Sequence, residues 1–184
     1  MTGRSRPARC SAAEWAVVAC VFFAGGCVTS TVRYGRPSYA GTNERGKLWF
    51  DSVASTIRGP VEPDRLKKVL DAYLGTPYRW GGMSKEGVDC SGLVCLVFRE
   101  LYNITLPRSA VDLVDLGSAV QPEETKAGDL VFFRWGFFGS VDHVGICTGG
   151  GRFVHASSKH GVIESGLNDE YYRSHLIAAR RLFK

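Results

Sequence analysis

Cys90 ends a glycine-rich polar approach, Tyr78-Arg79-Trp80-Gly81-Gly82-Met83-Ser84-Lys85-Glu86-Gly87-Val88-Asp89. Directly after it comes an apolar run, Leu93 to Leu101, with the length and character of a mostly buried helix. A thiol at such a loop-to-helix junction meets the partial positive charge of the helix N-terminus, which favours the thiolate. A thiolate there is suited to attack on a carbonyl, and it needs a base. Two histidines are candidates: His143 opens the apolar strand Val144-Gly145-Ile146-Cys147, and His155 closes the strand Phe153-Val154-His155. If these strands are antiparallel neighbours joined by Gly149-Gly150-Gly151, the two imidazoles pair near one end. His143 then takes the thiol proton while His155 holds its other ring nitrogen, an arrangement of nucleophile, base and orienter. Either histidine alone reads equally well as a hydrogen-bonded sheet residue; the three groups together favour catalysis.

The elements that must position these groups are legible on either side. Pro63-Asp64 start a helix, Leu66, Val69, Leu70, Tyr73 and Leu74 give it an apolar stripe, and Gly75 closes it. After the Cys90 helix, Pro107-Arg108-Ser109 restart a short helix over Ala110 to Leu116, which Gly117 stops. Beyond Gly128 the pattern changes to strands: 129–134, 142–148, 152–156, 161–164 and 176–182, separated by turn residues. The triple glycine lacks the lysine and following helix of a phosphate loop and reads as a hairpin turn. Helices first and an antiparallel sheet after them predict an α+β domain, with the Cys90 helix packed on the sheet.

The 184 residues suffice for one core plus ends. Residues 1–26 carry Arg4, Arg6 and Arg9 and then the run Trp15 to Ala24, a signal-peptide layout whose apolar part is well short of the roughly twenty residues of a spanning helix. Ala24-Gly25-Gly26-Cys27 resembles a bacterial lipobox, with alanine where leucine is usual; Cys27 would then be acylated and tie the chain to a membrane. In a Gram-negative envelope, Val28 rather than aspartate after that cysteine points to the outer membrane facing the periplasm. Residues 27–62 read as the lipidated cysteine and a tether with a short helix at Leu48 to Ile57, and 63–184 as the folded domain. The net charge of +5 falls to +3 when the leader and its three arginines and one glutamate are removed. Without an arginine-rich block or interleaved aromatics, that mild excess argues against a nucleic-acid partner. Cys95 and Cys147 read as small buried hydrophobes, a disulfide between them being the open alternative. No Cys-x-x-Cys spacing exists, so a metal site is not expected.

Tyr78-Arg79-Trp80-Gly81-Gly82, Asp89-Cys90-Ser91-Gly92-Leu93, Leu106-Pro107-Arg108, Gly128 to Phe133, His143-Val144-Gly145-Ile146 and Phe153-Val154-His155-Ala156 follow one another in the order and spacing of the NlpC/P60 cell-wall cysteine peptidases. The resemblance covers about residues 64–184 and is strongest to small lipoproteins of that family. It implies a papain-like fold and hydrolysis of amide bonds in the murein stem peptide, between D-glutamate and a diamino acid or at a crosslink, with no cofactor. Residue by residue, it implies Cys90 as nucleophile, His143 as base and His155 as third polar member. Tyr78 matches a tyrosine that donates to the oxyanion, a packed aromatic being the alternative. Asp89 either caps the Cys90 helix or meets a cationic substrate group, and Ser91 has the same two readings. Trp80, Trp135, Phe137 and Phe138 line a groove or pack in the core, while His160 and His175 have no motif and read as surface residues. Two other functions fit the same residues: a catalytically silent scaffold, and a cysteine amidase or acyltransferase acting on a non-murein substrate. The bond cut and the oligomeric state are not readable here.

Overall fold

Helix α1 (Pro63–Asp71) is the first element of the computed structural model, which describes residues 61–136 and 139–183. Cys27, the leader, the tether with its expected helix, Phe137 and Phe138 lie outside the described residues. Pro63 occupies the first turn of α1, where its missing N–H removes no helical hydrogen bond. Leu66, Val69 and Leu70 are buried along one face, and Lys67 pairs with Asp71 at 2.8 Å on the exposed one. The glycine-rich approach folds into a two-stranded hairpin, β1 (Met83–Ser84) and β2 (Gly87–Val88), which leads into α2 (Cys90–Tyr102).

Helix α2 buries nine of its thirteen residues, as the apolar run requires. Asp89 caps its start by accepting from Gly92 N–H, and Asn103, at φ 54°, ends it in the left-handed conformation that asparagine tolerates. Helix α3 (Ala110–Leu113), capped by Ser109, stops three residues before the expected Leu116. A short strand β3 (Ser118–Val120) and a 3₁₀ turn at Pro122–Glu124 follow. The remaining elements are β4 (Leu130–Phe133), β5 (His143–Gly149), β6 (Arg152–Ser157), β7 (Gly161–Gly166), α4 (Glu170–Arg173) and β8 (Leu176–Arg181). The hairpin, β3 and α4 are too short to leave a periodic signal and were not expected.

Strands β3 to β8 make one antiparallel sheet in the order β3-β8-β4-β5-β6-β7, so the last strand returns to lie between β3 and β4. This is the expected α+β architecture, with α2 packed on β5 and β6. Alternation along the strands sorts the side chains into two cores. Leu130, Phe132, Val144, Ile146, Val154 and Ala156 face the helices, while Val131, Phe133, Cys147 and Phe153 pack on the other face with Leu167, Leu176 and Ala179. Each such large side chain stabilises the fold by about 1.5–3 kcal/mol on burial. Between β5 and β6, Gly149, Gly150 and Gly151 all have positive φ (93°, 61° and 73°), so the triple glycine is the hairpin turn. Arg181 on β8 reaches the buried Asp129 at 2.7 Å and fixes the entrance to β4.

Candidate active site

Cys90 is the first residue of α2, and the chain around it is held by an arginine that the sequence places eighteen residues later. Arg108 grips both oxygens of Asp89, Nη1 to Oδ1 at 2.7 Å and Nη2 to Oδ2 at 2.8 Å. It also donates from Nη1 to Ser91 Oγ at 2.6 Å and from Nη2 to the Gly82 carbonyl at 2.9 Å. Asp89 further accepts from Gly81 N–H and Gly92 N–H, so with the two Arg108 bonds its carboxylate takes four hydrogen bonds. Of its two sequence readings, capping is the one realised, since a substrate cation would have to displace these donors. Ser91 is likewise turned inward, with Oγ at 2.8 Å from the Arg108 carbonyl. Gly92 must be glycine because a Cβ there would collide with the Gly82 carbonyl of the approach loop. The approach loop and the helix start are thereby one rigid unit.

The two histidines come from the sheet face opposite α2. His143 is the first residue of β5, and His155 lies near the end of β6. They are not direct cross-strand partners. The pairs Ile146–Val154 and Cys147–Phe153, extended along the strands, put His155 across from Gly145 and diagonal to His143. On a common face, diagonal neighbours are within reach of long and aromatic side chains. Here His143 Nε2 and His155 Nδ1 are 2.8 Å apart, the rings nearly perpendicular at 87°. His155 is 2% exposed, stacked on Phe153, while His143 rests between Phe133 and Trp135 with one edge open to the surface.

The Cys90 sulfur lies beside the backbone of Val144, the residue that follows His143 at the start of β5. The backbone N–H groups of Val144, Ser91 and Cys90 itself converge on the sulfur and favour its ionised form, but burial outweighs them and pushes the thiol pKa up. The helix start thus favours the thiolate as the sequence suggests, and burial of the sulfur opposes it more strongly. Burial also lowers the pKa of both histidines, His143 despite the nearby Asp142 and Asp89 carboxylates, and His155 further through the charge of His143. At neutral pH the resting site holds a neutral thiol beside neutral imidazoles. Cys90 Sγ makes no hydrogen bond to either ring, so proton transfer requires the small tightening that bound substrate commonly brings.

A cleft of about 480 Å³ opens over the histidine pair, its walls including Tyr78, Trp135, His143, His155, His160 and Tyr171. Tyr78 is half-buried against the helix core, and burial beside Cys90 and Asp89 raises its pKa, so its hydroxyl is kept as a donor. Trp135 lines the cleft, whereas Trp80, 87% exposed, stands outside it. His160 is exposed, as expected, on the cleft wall; His175 is also at the surface, partly exposed, stacked on Trp135 at 5.7 Å with Nδ1 at 2.6 Å from the Tyr171 carbonyl. Cys95 and Cys147 are free thiols in different cores, Cys95 directed at the Leu106 and Pro107 carbonyls, which removes the disulfide alternative. Arg108, which grips Asp89, is visible in the sequence only as part of a motif, and Ser165 and Tyr172, which meet His155, carry no sequence signal at all.

Residues 75–181 match the NlpC/P60 family. The chain is 39% identical over 117 residues to a protein of Escherichia coli K12 named probable endopeptidase NlpC, covering 64% of this chain and 76% of the relative. It is 42% identical over 122 residues to the murein DD-endopeptidase MepS/murein LD-carboxypeptidase of the same strain, covering 65% of this chain and 64% of the relative. Among solved structures, an NlpC/P60 family protein from Bacillus cereus superposes with a TM-score of 0.63 at 34% identity, over 70% of this chain and 42% of the other.

Proposed function

Because the chain belongs to the NlpC/P60 family of cysteine peptidases, we propose that it is a peptidoglycan endopeptidase that hydrolyses amide bonds of the stem peptide or its crosslinks. The observation that carries this reading is the Cys90 sulfur, at the start of α2, lying beside the Val144 backbone at the start of strand β5, with His143 next to it in the chain and joined to His155 at 2.8 Å. In this mechanism bound substrate brings Cys90 and His143 together, and the thiol proton passes to the imidazole as sulfur attacks the carbonyl carbon. The three converging N–H groups support the sulfur as it ionises. The backbone N–H at the helix start and the Tyr78 hydroxyl donate to the oxyanion. His143 returns its proton to the leaving amine, which departs and leaves a thioester on Cys90. A water that gives its proton to His143 then hydrolyses the thioester, releasing the carboxylate product and restoring the thiol. Asp89, Ser91 and Arg108 act by holding the frame. The chain's chemistry requires no metal or organic cofactor.

We further propose that the leader is cleaved and Cys27 acylated, anchoring the domain through its tether to the envelope, at the outer membrane facing the periplasm. Support comes from the Ala24-Gly25-Gly26-Cys27 pattern and Val28 after it. Digestion of isolated murein, followed by mass analysis of the soluble products, tests the enzymatic reading: His143→Ala should lower release by at least about 10²-fold. Undiminished release by that variant would contradict it. Membrane fractionation with Cys27→Ala tests the anchor, and continued membrane retention of that variant would refute it.

A further inference from the structure

The histidine pair does not end at His155. Its remaining ring nitrogen, Nε2, is 3.1 Å from Ser165 Oγ and 3.2 Å from Tyr172 Oη, and these two oxygens are 3.4 Å from each other. Ser165 reaches this point through strand register. It pairs with Phe153 while His155 pairs with Ile163, so Ser165 is the diagonal neighbour of His155, as His155 is of His143. The three groups climb diagonally across β5, β6 and β7 on one face of the sheet. Tyr172 arrives from α4, its ring edge-on to Phe153 at 5.0 Å and to His155 at 5.3 Å. His155 and Ser165 are 2% and 9% exposed, so water has little access to this nitrogen.

We propose that Ser165 and Tyr172 are positioning residues of the histidine pair: their hydroxyl oxygens accept the Nε2–H of His155 and so fix the tautomer that leaves His143 Nδ1 free to take the Cys90 proton. The proposal rests on Cys90, His143 and His155 being the catalytic set, and its logic is a count of protons. A neutral imidazole carries one N–H. If His143 Nδ1 is to accept a proton, the His143 hydrogen sits on Nε2, and at 2.8 Å it is donated to His155 Nδ1, which must be bare. His155 then carries its hydrogen on Nε2, a buried donor that needs an acceptor. The two hydroxyls are the acceptors available, and the Ser165 hydroxyl has Tyr172 Oη for its own hydrogen. Among the described residues no carboxylate is hydrogen-bonded to His155; Asp142, next to His143 in the chain, accepts from the Trp135 N–H at 2.9 Å. The positive charge formed during proton transfer therefore stays on His143, and His155 keeps one tautomer through the cycle.

Long-range proton–nitrogen NMR spectra of the ¹⁵N-histidine-labelled full chain at pH 7 test this directly. The expected wild-type spectrum shows His155 protonated on Nε2 and bare on Nδ1; a proton on Nδ1 overturns the proposal. In kinetics on muropeptides, Ser165→Ala and Tyr172→Phe should each lower kcat about threefold to tenfold, because one acceptor remains. The double variant should lose roughly 10²-fold in kcat with KM unchanged and show a mixture of His155 tautomers. A double variant that keeps its thermal transition, its single tautomer and wild-type kcat would also overturn the assignment. If the wild type cleaves no muropeptide, the enzymatic reading fails, while the wild-type spectrum still decides where the His155 proton sits.

Discussion

Arg108 holds Asp89 in a two-pronged ion pair, 2.7 and 2.8 Å, one residue before the cysteine at the start of α2. The Asp89 side chain is 10% exposed and that of Arg108 34%, so the pair is only partly screened. Removing the arginine leaves a buried carboxylate short of two donors and frees the Gly82 carbonyl. Arg108→Ala should therefore lower unfolding stability by about 2–3 kcal/mol, less than the full cost for a wholly buried pair because Asp89 keeps the Gly81 and Gly92 N–H donors. Arg108→Lys keeps the charge and loses the fork, so it should recover only part of that. Urea denaturation of the two variants checks the order; equal stability for wild type and Arg108→Ala would show that the pair contributes nothing.

Gly92 sits inside α2, where alanine would ordinarily gain about 1 kcal/mol of helix propensity. Its Cβ position is already taken by the Gly82 carbonyl. The collision is with backbone, which cannot rotate away as a side chain can, so it outweighs the propensity gain. Gly92→Ala should destabilise by about 1–3 kcal/mol and lower kcat by moving the approach loop away from Cys90. A stabilised Gly92→Ala protein would show that the loop is free to retreat.

Stability should depend on pH through the histidine pair. Burial lowers the His143 pKa from 6.5 to about 4, and His155 is lowered in the same direction. Above pH 6.5 both states are neutral at these positions and nothing is lost. Below it the unfolded chain takes up protons that the folded chain refuses, so stability falls as pH drops from about 6.5 to about 4, by about 1.4 kcal/mol per pH unit for each histidine. Urea titrations at pH 7, 6 and 5 read the slope, and His155→Gln should remove about half of it. A stability that is level from pH 7 to 5 would mean that the imidazoles titrate normally.

Thiol reactivity follows from the same burial. The Cys90 pKa lies above its ordinary value, while Cys95 is pushed up to about 11 and Cys147 to about 12. Of the three described cysteines, iodoacetamide should modify Cys90 first, because among them it alone is partly exposed, at a rate that keeps rising through pH 9. A reactivity plateau at or below pH 7, read by mass analysis of the alkylated peptide, would instead indicate a preformed thiolate.

Much of the fold was legible because its signals are local and periodic. The stripe on α1, the apolar run of α2, the strands at Leu130 to Phe133 and His143 to Gly149, and the triple-glycine hairpin all appeared close to their true places. Chain order was enough to bring His143 and His155 together in thought, although they meet diagonally rather than as direct partners. What was hidden depends on long-range closure. Arg108 clamping Asp89, and Ser165 and Tyr172 closing on His155, join segments whose spacing carries no period. The net balance at Cys90 was hidden for a related reason: a helix terminus is visible in sequence, whereas the degree to which the rest of the fold buries the sulfur is not.

The measurement that bears most directly on the proposed chemistry is the digestion of a defined, crosslinked muropeptide by the full chain and by Cys90→Ala, with products identified by mass. Wild type should yield two fragments that together carry one added water, and acid quenching during turnover should trap an acyl group on Cys90. Cys90→Ala, with its fold and thermal transition intact, should yield neither product nor adduct. Cleavage by Cys90→Ala at the wild-type rate would contradict cysteine catalysis on this fold.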